Sequence, residues 1–227
     1  MPNWQKEWVL LCPGPTASQY AKRVYELYMR RNPDAPRPQI MTCNAGFRLF
    51  EVLWPGQVPT AYVCIERPAV KLFMEDIRRL GKKGTDIWTW KSRLVEIGGP
   101  RTRYLPYNNT YAVNKLRQTN TFEHPQYSHL FCVGVTALQA ILQEYRASRV
   151  DVLGMCGYDI EQLYDPACNH HPITPVDAEH CRKLNQRAVE YTAQMLPFFR
   201  TRRKTPAQIM FWGDSIHDPD RKYTCYG

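Results

Sequence analysis

The sequence has no apolar run near the roughly 18 consecutive residues that a membrane-crossing helix needs, so no membrane span is expected. Its amino end, "MPNWQKEWVLLC", lacks a basic stretch followed by a long apolar core, so no secretory signal is read there and a cytoplasmic location is expected. There is no Cys-x-x-Cys pair, no Gly-Lys-Ser/Thr loop and no Gly-x-Gly-x-x-Gly. The thioredoxin-like redox motif, the P-loop and the dinucleotide fingerprint are thereby excluded. No internal repeat and no low-complexity segment occurs, which excludes a repeat array.

What is present is an ordinary globular balance, 44% hydrophobic and 22% charged over 227 residues. That length suits one α/β domain over residues 1–227, able to bury a core without disulfides or metals. Most of the eight cysteines sit in strand-like apolar runs, as Cys12, Cys64, Cys132 and Cys156 do, and read as reduced, buried thiols. The net charge of +9 favours anionic partners: nucleotides, phosphates or nucleic acid. The densest basic cluster is "RTRRK", Arg200 to Lys204, which suits a solvated helix end as well as a nucleic-acid contact.

Apolar runs alternate with helical periodicity along the chain. Strands are expected at Trp8–Cys12, Gln39–Cys43, Ala61–Ile65, Val150–Met155 and Gln208–Trp212, with further candidates in "DIWTWKSRLVEI" and "TRYLPY". Helices are expected at Ser18–Arg31, Phe47–Trp54, onward from Pro68, at Thr136–Tyr145 and at Asp177–Leu196. Residues 95–128 read as an irregular insertion and 168–180 as a lid. Short, continuously apolar strands separated by helices imply a Rossmann-like, mostly parallel sheet with helices on both faces. Ligands of such sheets lie beyond the carboxyl ends of the strands. Those ends are Pro13-Gly14-Pro15-Thr16, Cys43-Asn44-Ala45-Gly46, Glu66-Arg67, Cys156-Gly157-Tyr158-Asp159 and Gly213-Asp214-Ser215.

In "VLLCPGPTAS", Gly14 lets backbone pass close to a ligand, and Thr16 or Ser18 can cap the next helix, whose free amides would attract phosphate. A plain strand–helix turn accounts for the same residues. Asn44 can donate and accept at once, as reading a base edge or ribose requires, or can form an Asx-turn with Gly46. Gly134, before the helix that opens near Thr136, is a second anion site in prospect. Asp159 suits a ribose hydroxyl, a metal or a turn.

Four of these segments, "CPGPT", "TCNAGF", "TAYVCIERPAVKLF" and "VGVTALQAILQEYRASRVDVLGMCGYDI", carry a resemblance. They are similar to the Gly-x-Gly-Pro-Ser turn, the Arg-Cys-Asn strand, the third strand with its aromatic helix, and the Ser-Gly-x-x-Ala helix with its Gly-x-Asp strand end of two related groups. These are the bacterial sialyltransferases of the campylobacter type and the domain of archaeal 6-hydroxymethylpterin diphosphokinase. The likeness runs over about residues 8 to 195. It implies a nucleotide-dependent transferase, most readily a glycosyltransferase using a nucleotide-sugar donor without a metal. The alternatives are a magnesium-dependent diphosphokinase acting on a pterin-like substrate, and a protein that binds nucleotide or nucleic acid without turnover. The nucleotide site would comprise Gly14, Pro15, Thr16, Asn44, Gly134, Thr136 and Asp159. Val133 replaces the family's serine, which argues against sialic acid as the transferred sugar.

The resembling sialyltransferases place a base histidine just before the late helix, which here is His171 in "CNHHPITPVDAEHC", with His170 its competitor. Imidazole titrates near neutrality and suits removal of a proton from an acceptor hydroxyl. The same residues with Cys168, His180 and Cys181 offer zinc ligands, or are surface histidines. Arg67 and Arg117, with Arg101 and Arg103, are candidates to neutralise phosphate. The Asp-x-Asp of "HDPD", His217 to Asp220, reads as a metal-holding tripeptide or as a solvated turn. A nucleic-acid acceptor, such as a hydroxylated base, would be met by residues 100–128 and 200–204.

Overall fold

A computed structural model describes residues 6–35, 37–90, 97–105, 133–157, 164–168, 177–202 and 206–225. Eight strands form one sheet: β1 Glu7–Leu11, β2 Gln39–Cys43, β3 Ala61–Val63, β4 Asp86–Trp90, β5 Thr102–Leu105, β6 Arg149–Leu153, β7 Gln208–Trp212 and β8 Thr224–Cys225. Their order is β5-β4-β3-β2-β1-β6-β7-β8, and every pairing is parallel. In β1, β2, β4 and β6 the first residue is half-buried and the next four are buried. This is the pattern of strands covered on both faces.

The helices are α1 Ala17–Arg31, α2 Gly46–Leu53, α3 Arg67–Leu72, α4 Met74–Lys82, α5 Val133–Gln143 and α6 Ala178–Pro197. Alternate strand residues pack against different helices. Val9, Leu11 and Ile40 meet Tyr20, Val24, Leu49 and Phe50 of α1 and α2, while Tyr62 and Ile87 meet Phe47 and residues of α3 and α4. Trp8, Leu10, Met41 and Val63 face α5 and α6 through Leu138, Ile141 and Tyr191. The chain builds outward from β1 to β5 beneath α1–α4, then returns through α5 to add β6 on the other side of β1. That reversal puts the switch point between β1 and β6.

Most expected elements are present with ends shifted by a few residues. The helix from Pro68 is divided at Phe73, a fully buried residue with φ −100° and ψ 14°. Glu75 and Asp76 then favour a new amino terminus for α4. Thr102–Leu105 belongs to the sheet, in agreement with the strand candidate in "TRYLPY"; residues 106–132, which include most of the segment read as an irregular insertion, lie outside the described residues. The short β8 was not anticipated from the sequence, because two residues carry no periodicity.

Two backbone hydrogen bonds carry the β1–β6 pairing past the strand ends. The Gly14 N–H donates to the Gly154 carbonyl at 3.1 Å, and the Cys12 N–H donates to Leu153 at 2.9 Å. A Cβ on Gly14 would overlap the Gly154 carbonyl oxygen. Gly154 has φ +68°, and its Cβ would lie 2.6 Å from the Cys12 carbonyl oxygen and 2.7 Å from Ala17. Both obstacles at Gly154 lie in packed backbone or a helix start. Gly154→Ala is therefore expected to lower stability by at least about 2 kcal/mol, measured as the urea midpoint of unfolding.

Candidate functional site

At the carboxyl ends of β1, β2, β6 and β7 lies an open cleft, where parallel α/β sheets hold ligands. Its wall comes from Cys12-Pro13-Gly14 after β1, Cys43-Asn44 at the end of β2, and Gly154 to Gly157 after β6. Val133-Gly134 of α5, Tyr164, Asn185 and Ala188 of α6, and Ile216-His217 after β7 complete it. Three residues proposed from sequence, Gly14, Asn44 and Gly134, thus share one wall although they are far apart in the chain.

The turn after β1 is built differently from a phosphate cradle. The Gly14 amide is taken by Gly154, and the next free helical amide, that of Ser18, donates to Asp165 Oδ2 at 2.8 Å. Ser18 Oγ donates to the same oxygen at 2.7 Å. Asp165 is buried and further held by its own N–H to Pro13 O and by Ala167 N–H to Oδ1. A carboxylate of this chain therefore occupies the positive end of α1, where an external phosphate was expected. Thr16 stands at the N-cap position but makes no capping bond, a correction to its expected role. Its hydroxyl lies 3.1 Å from Cys156 Sγ. Pro15 and Thr16 do not line the cleft.

Asn44 has φ +44°, a left-handed conformation that Asn tolerates better than most residues. Its Nδ2 donates to Glu66 Oε2 at 3.2 Å, while its Oδ1 is buried with no hydrogen-bond partner among the described residues. Burial pushes the Glu66 carboxyl above the usual range, against the Asn44 bond, which favours the charged form. Burial, with the negative charge of Glu66 nearby, pushes the Tyr164 phenol up to about 12. In the floor, Cys43 Sγ donates to Cys12 Sγ at 3.6 Å, and that bond together with burial raises the Cys43 thiol. The paired sulfurs are free thiols, and Cys64 and Cys168 are likewise buried.

Across the cleft, Gly134 lies within the first turn of α5 rather than before it. A Cβ there would stand 3.0 Å from Cys12 Sγ, so the glycine keeps the helix start against the cleft floor. Thr136 is buried behind it and does not line the cleft. His217 is buried, stacks on Phe211 with centroids 6.3 Å apart, and has Nδ1 3.0 Å from Thr192 Oγ1 of α6. Burial lowers its imidazole to about 4, so it is neutral at physiological pH.

Other candidates do not gather here. Arg67 is exposed at the start of α3 and does not line the cleft. Arg101 and Arg103 pair with Asp86 at 3.3 and 3.7 Å, at the amino end of β4. Arg117, Asp159, His170 and His171 lie outside the described residues. The two carboxylates of the Asp-x-Asp part company. Asp218 is buried and accepts from the Tyr223 amide and the Thr224 hydroxyl, whereas exposed Asp220 pairs with Lys222. For the zinc alternative, His180 is exposed while Cys181 is buried, and no group of three metal-binding side chains occurs among the described residues. Arg200 is no solvated cation: it donates to Ile209 O and lies 3.4 Å over the Tyr223 ring. Among the described residues no helix is long and apolar enough to cross a membrane.

No family model matches the chain, and no curated protein matches it. Sequence reasoning missed His217 and Asp165. His217 was seen only as part of the Asp-x-Asp turn, although its place just past β7 obeys the same strand-end rule that selected Gly213 to Ser215. Asp165 carries no local signal, because its partner lies 147 residues away.

Two outcomes follow from these bonds. Asp165→Ala is expected to cost about 2 kcal/mol in chemical denaturation, with Asp165→Asn recovering only part. An unfolded imidazole takes a proton below about 6.5, the folded His217 only near about 4. Within that window the unfolded chain binds more protons, so stability falls by up to about 3 kcal/mol as the pH drops through it. Urea midpoints from pH 7 to 4 should show this slope flattened in His217→Gln.

Proposed function

We propose that the protein is a nucleotide-dependent transferase whose donor lies in the cleft across the switch point, and that it moves a sugar from a nucleotide-sugar donor to an acceptor hydroxyl. The observation that carries this reading is the meeting of Gly14, Asn44 and Gly134 in one cleft at the ends of β1 and β2 and the start of α5, where parallel α/β sheets hold ligands. The likeness of the "CPGPT", "TCNAGF" and "GYD" segments to sialyltransferase motifs supports it independently of the geometry.

Each residue has a part. Asn44 Oδ1, buried without a partner among the described residues, accepts from a donor group of base or ribose. The start of α5 at Gly134 offers backbone amides and its dipole to a phosphate, a place that Asp165 denies at α1. Glu66 holds the Asn44 amide in orientation. On this reading Gly14 serves by letting β1 and β6 close beneath the ligand rather than by touching phosphate. The deprotonating group is sought first at His171 and His170. The net charge of +9 leaves a nucleic-acid acceptor in view.

Thermal shift and calorimetry with nucleoside mono- and diphosphates and nucleotide sugars test the reading. A nucleotide that binds the folded state raises Tm. Asn44→Ala and Gly134→Val are expected to weaken it about tenfold or more, while Arg67→Ala leaves it within about twofold. Sugar release from a nucleotide-sugar panel should accompany binding. If none of these compounds raises Tm, the assignment falls.

A further inference from the structure

His217 is held at Nδ1 by α6. Thr192 Oγ1 lies 2.9 Å from the Ala188 carbonyl oxygen and 3.1 Å from that of Val189, one turn back in the helix, and 3.0 Å from His217 Nδ1. When Thr192 gives its one hydroxyl proton to the carbonyls, which only accept, Nδ1 carries the hydrogen and Nε2 the lone pair. Phe211 stacks on the ring, and the His217 backbone N–H donates to Ser215 Oγ, whose own proton goes to Met155 O. The ring is thus held by Phe211 and Thr192, and its backbone by Ser215, while it lines the cleft.

We propose that His217 is the proton acceptor of the cleft: its Nε2 takes the proton of an attacking hydroxyl once an anionic nucleotide donor lies beside it. The proposal rests on the nucleotide reading above and gives His217 the role first sought at His171. In the step, the acceptor O–H bond breaks and its proton passes to Nε2. The oxygen bonds to the anomeric carbon, and the bond from that carbon to the donor phosphate oxygen breaks, the phosphate leaving with the electron pair. The imidazolium returns its proton to solvent as the nucleotide departs.

The donor's charge is part of the mechanism. Burial keeps the imidazole neutral, down to about 4. Among the described residues, the titratable groups that share the cleft are the thiols of Cys12, Cys43 and Cys156 and the phenol of Tyr164. The neighbouring Asp218 directs Oδ2 to Tyr223 and Thr224. A phosphate in the cleft adds the negative charge that favours imidazolium. The molecule that brings the electrophile therefore also makes His217 basic.

Nitrogen-15 NMR of histidine-labelled protein tests this, with His217→Gln identifying the resonance. In the free protein, Nδ1 should carry the proton and Nε2 the lone pair down to about pH 5. With a ribonucleoside 5′-mono- or diphosphate bound, the titration should move upward by about one unit or more. His217→Gln should cut sugar release about 100-fold while nucleotide affinity stays within about threefold. If that variant unfolds, Thr192→Val serves instead, and loss of the single Nδ1–H tautomer is expected. Nucleotide binding that shifts the Asn44 and Gly134 amides but leaves the His217 titration unmoved overturns this proposal alone. Failure of every nucleotide to bind overturns the nucleotide reading and this proposal with it.

Discussion

Two glycine backbones pressed together at the ends of β1 and β6 set the geometry of everything above them. Gly14 and Gly154 are within hydrogen-bonding distance, and neither has room for a side chain. Because they close the gap between the two central strands, the loops that follow can diverge only higher up, and the cleft opens there. The left-handed conformation of Gly154 turns the chain after β6 and brings Met155 against Gly134 at the start of α5.

The chemistry of the cleft follows from what surrounds that floor. Sulfur atoms of Cys12 and Cys43 line it, while Asn44 backed by Glu66, Tyr164, and His217 backed by Thr192 supply the polar groups of its wall. Each polar group has its other side engaged by protein, which orients it at little further entropic cost when a ligand arrives. Asp165 performs the opposite service. By occupying the helix start beside the cleft it removes one anion site, and it fastens residues 164–168 to the β1 turn. Tyr164 owes its place in the wall to that fastening.

Much of the architecture was legible in the residues. Val9, Leu10 and Leu11, or Ile40 and Met41, are runs too short for a helix and too apolar for a sheet open to water on one side, so a doubly covered parallel sheet was the remaining answer. Helix periodicity around Tyr20, Val24 and Tyr28 was equally plain. The strand-end rule located Gly14, Asn44 and Gly134 because it depends on topology, which local pattern reveals. It did not foresee that amides of the first turn are already taken, Gly14 by Gly154 and Ser18 by Asp165. Whether an amide is free depends on what else reaches it, and Asp165 arrives from 147 residues away. The break at Phe73 was hidden for a related reason, since periodicity runs smoothly through a residue whose full burial is a tertiary fact.

The sequence by itself determined the class of fold, the places where strands end and the residue types available there, since these depend on neighbours within a few positions. Only the tertiary structure decided which of those residues face one another. It joined Asn44 to Glu66, pressed Gly14 on Gly154, and turned Asp218 away from Asp220. It also made His217, read from sequence only as part of a turn, a neutral imidazole of the cleft. Burial and hydrogen-bond partners set protonation, and both are properties of three-dimensional surroundings that no local stretch of sequence contains.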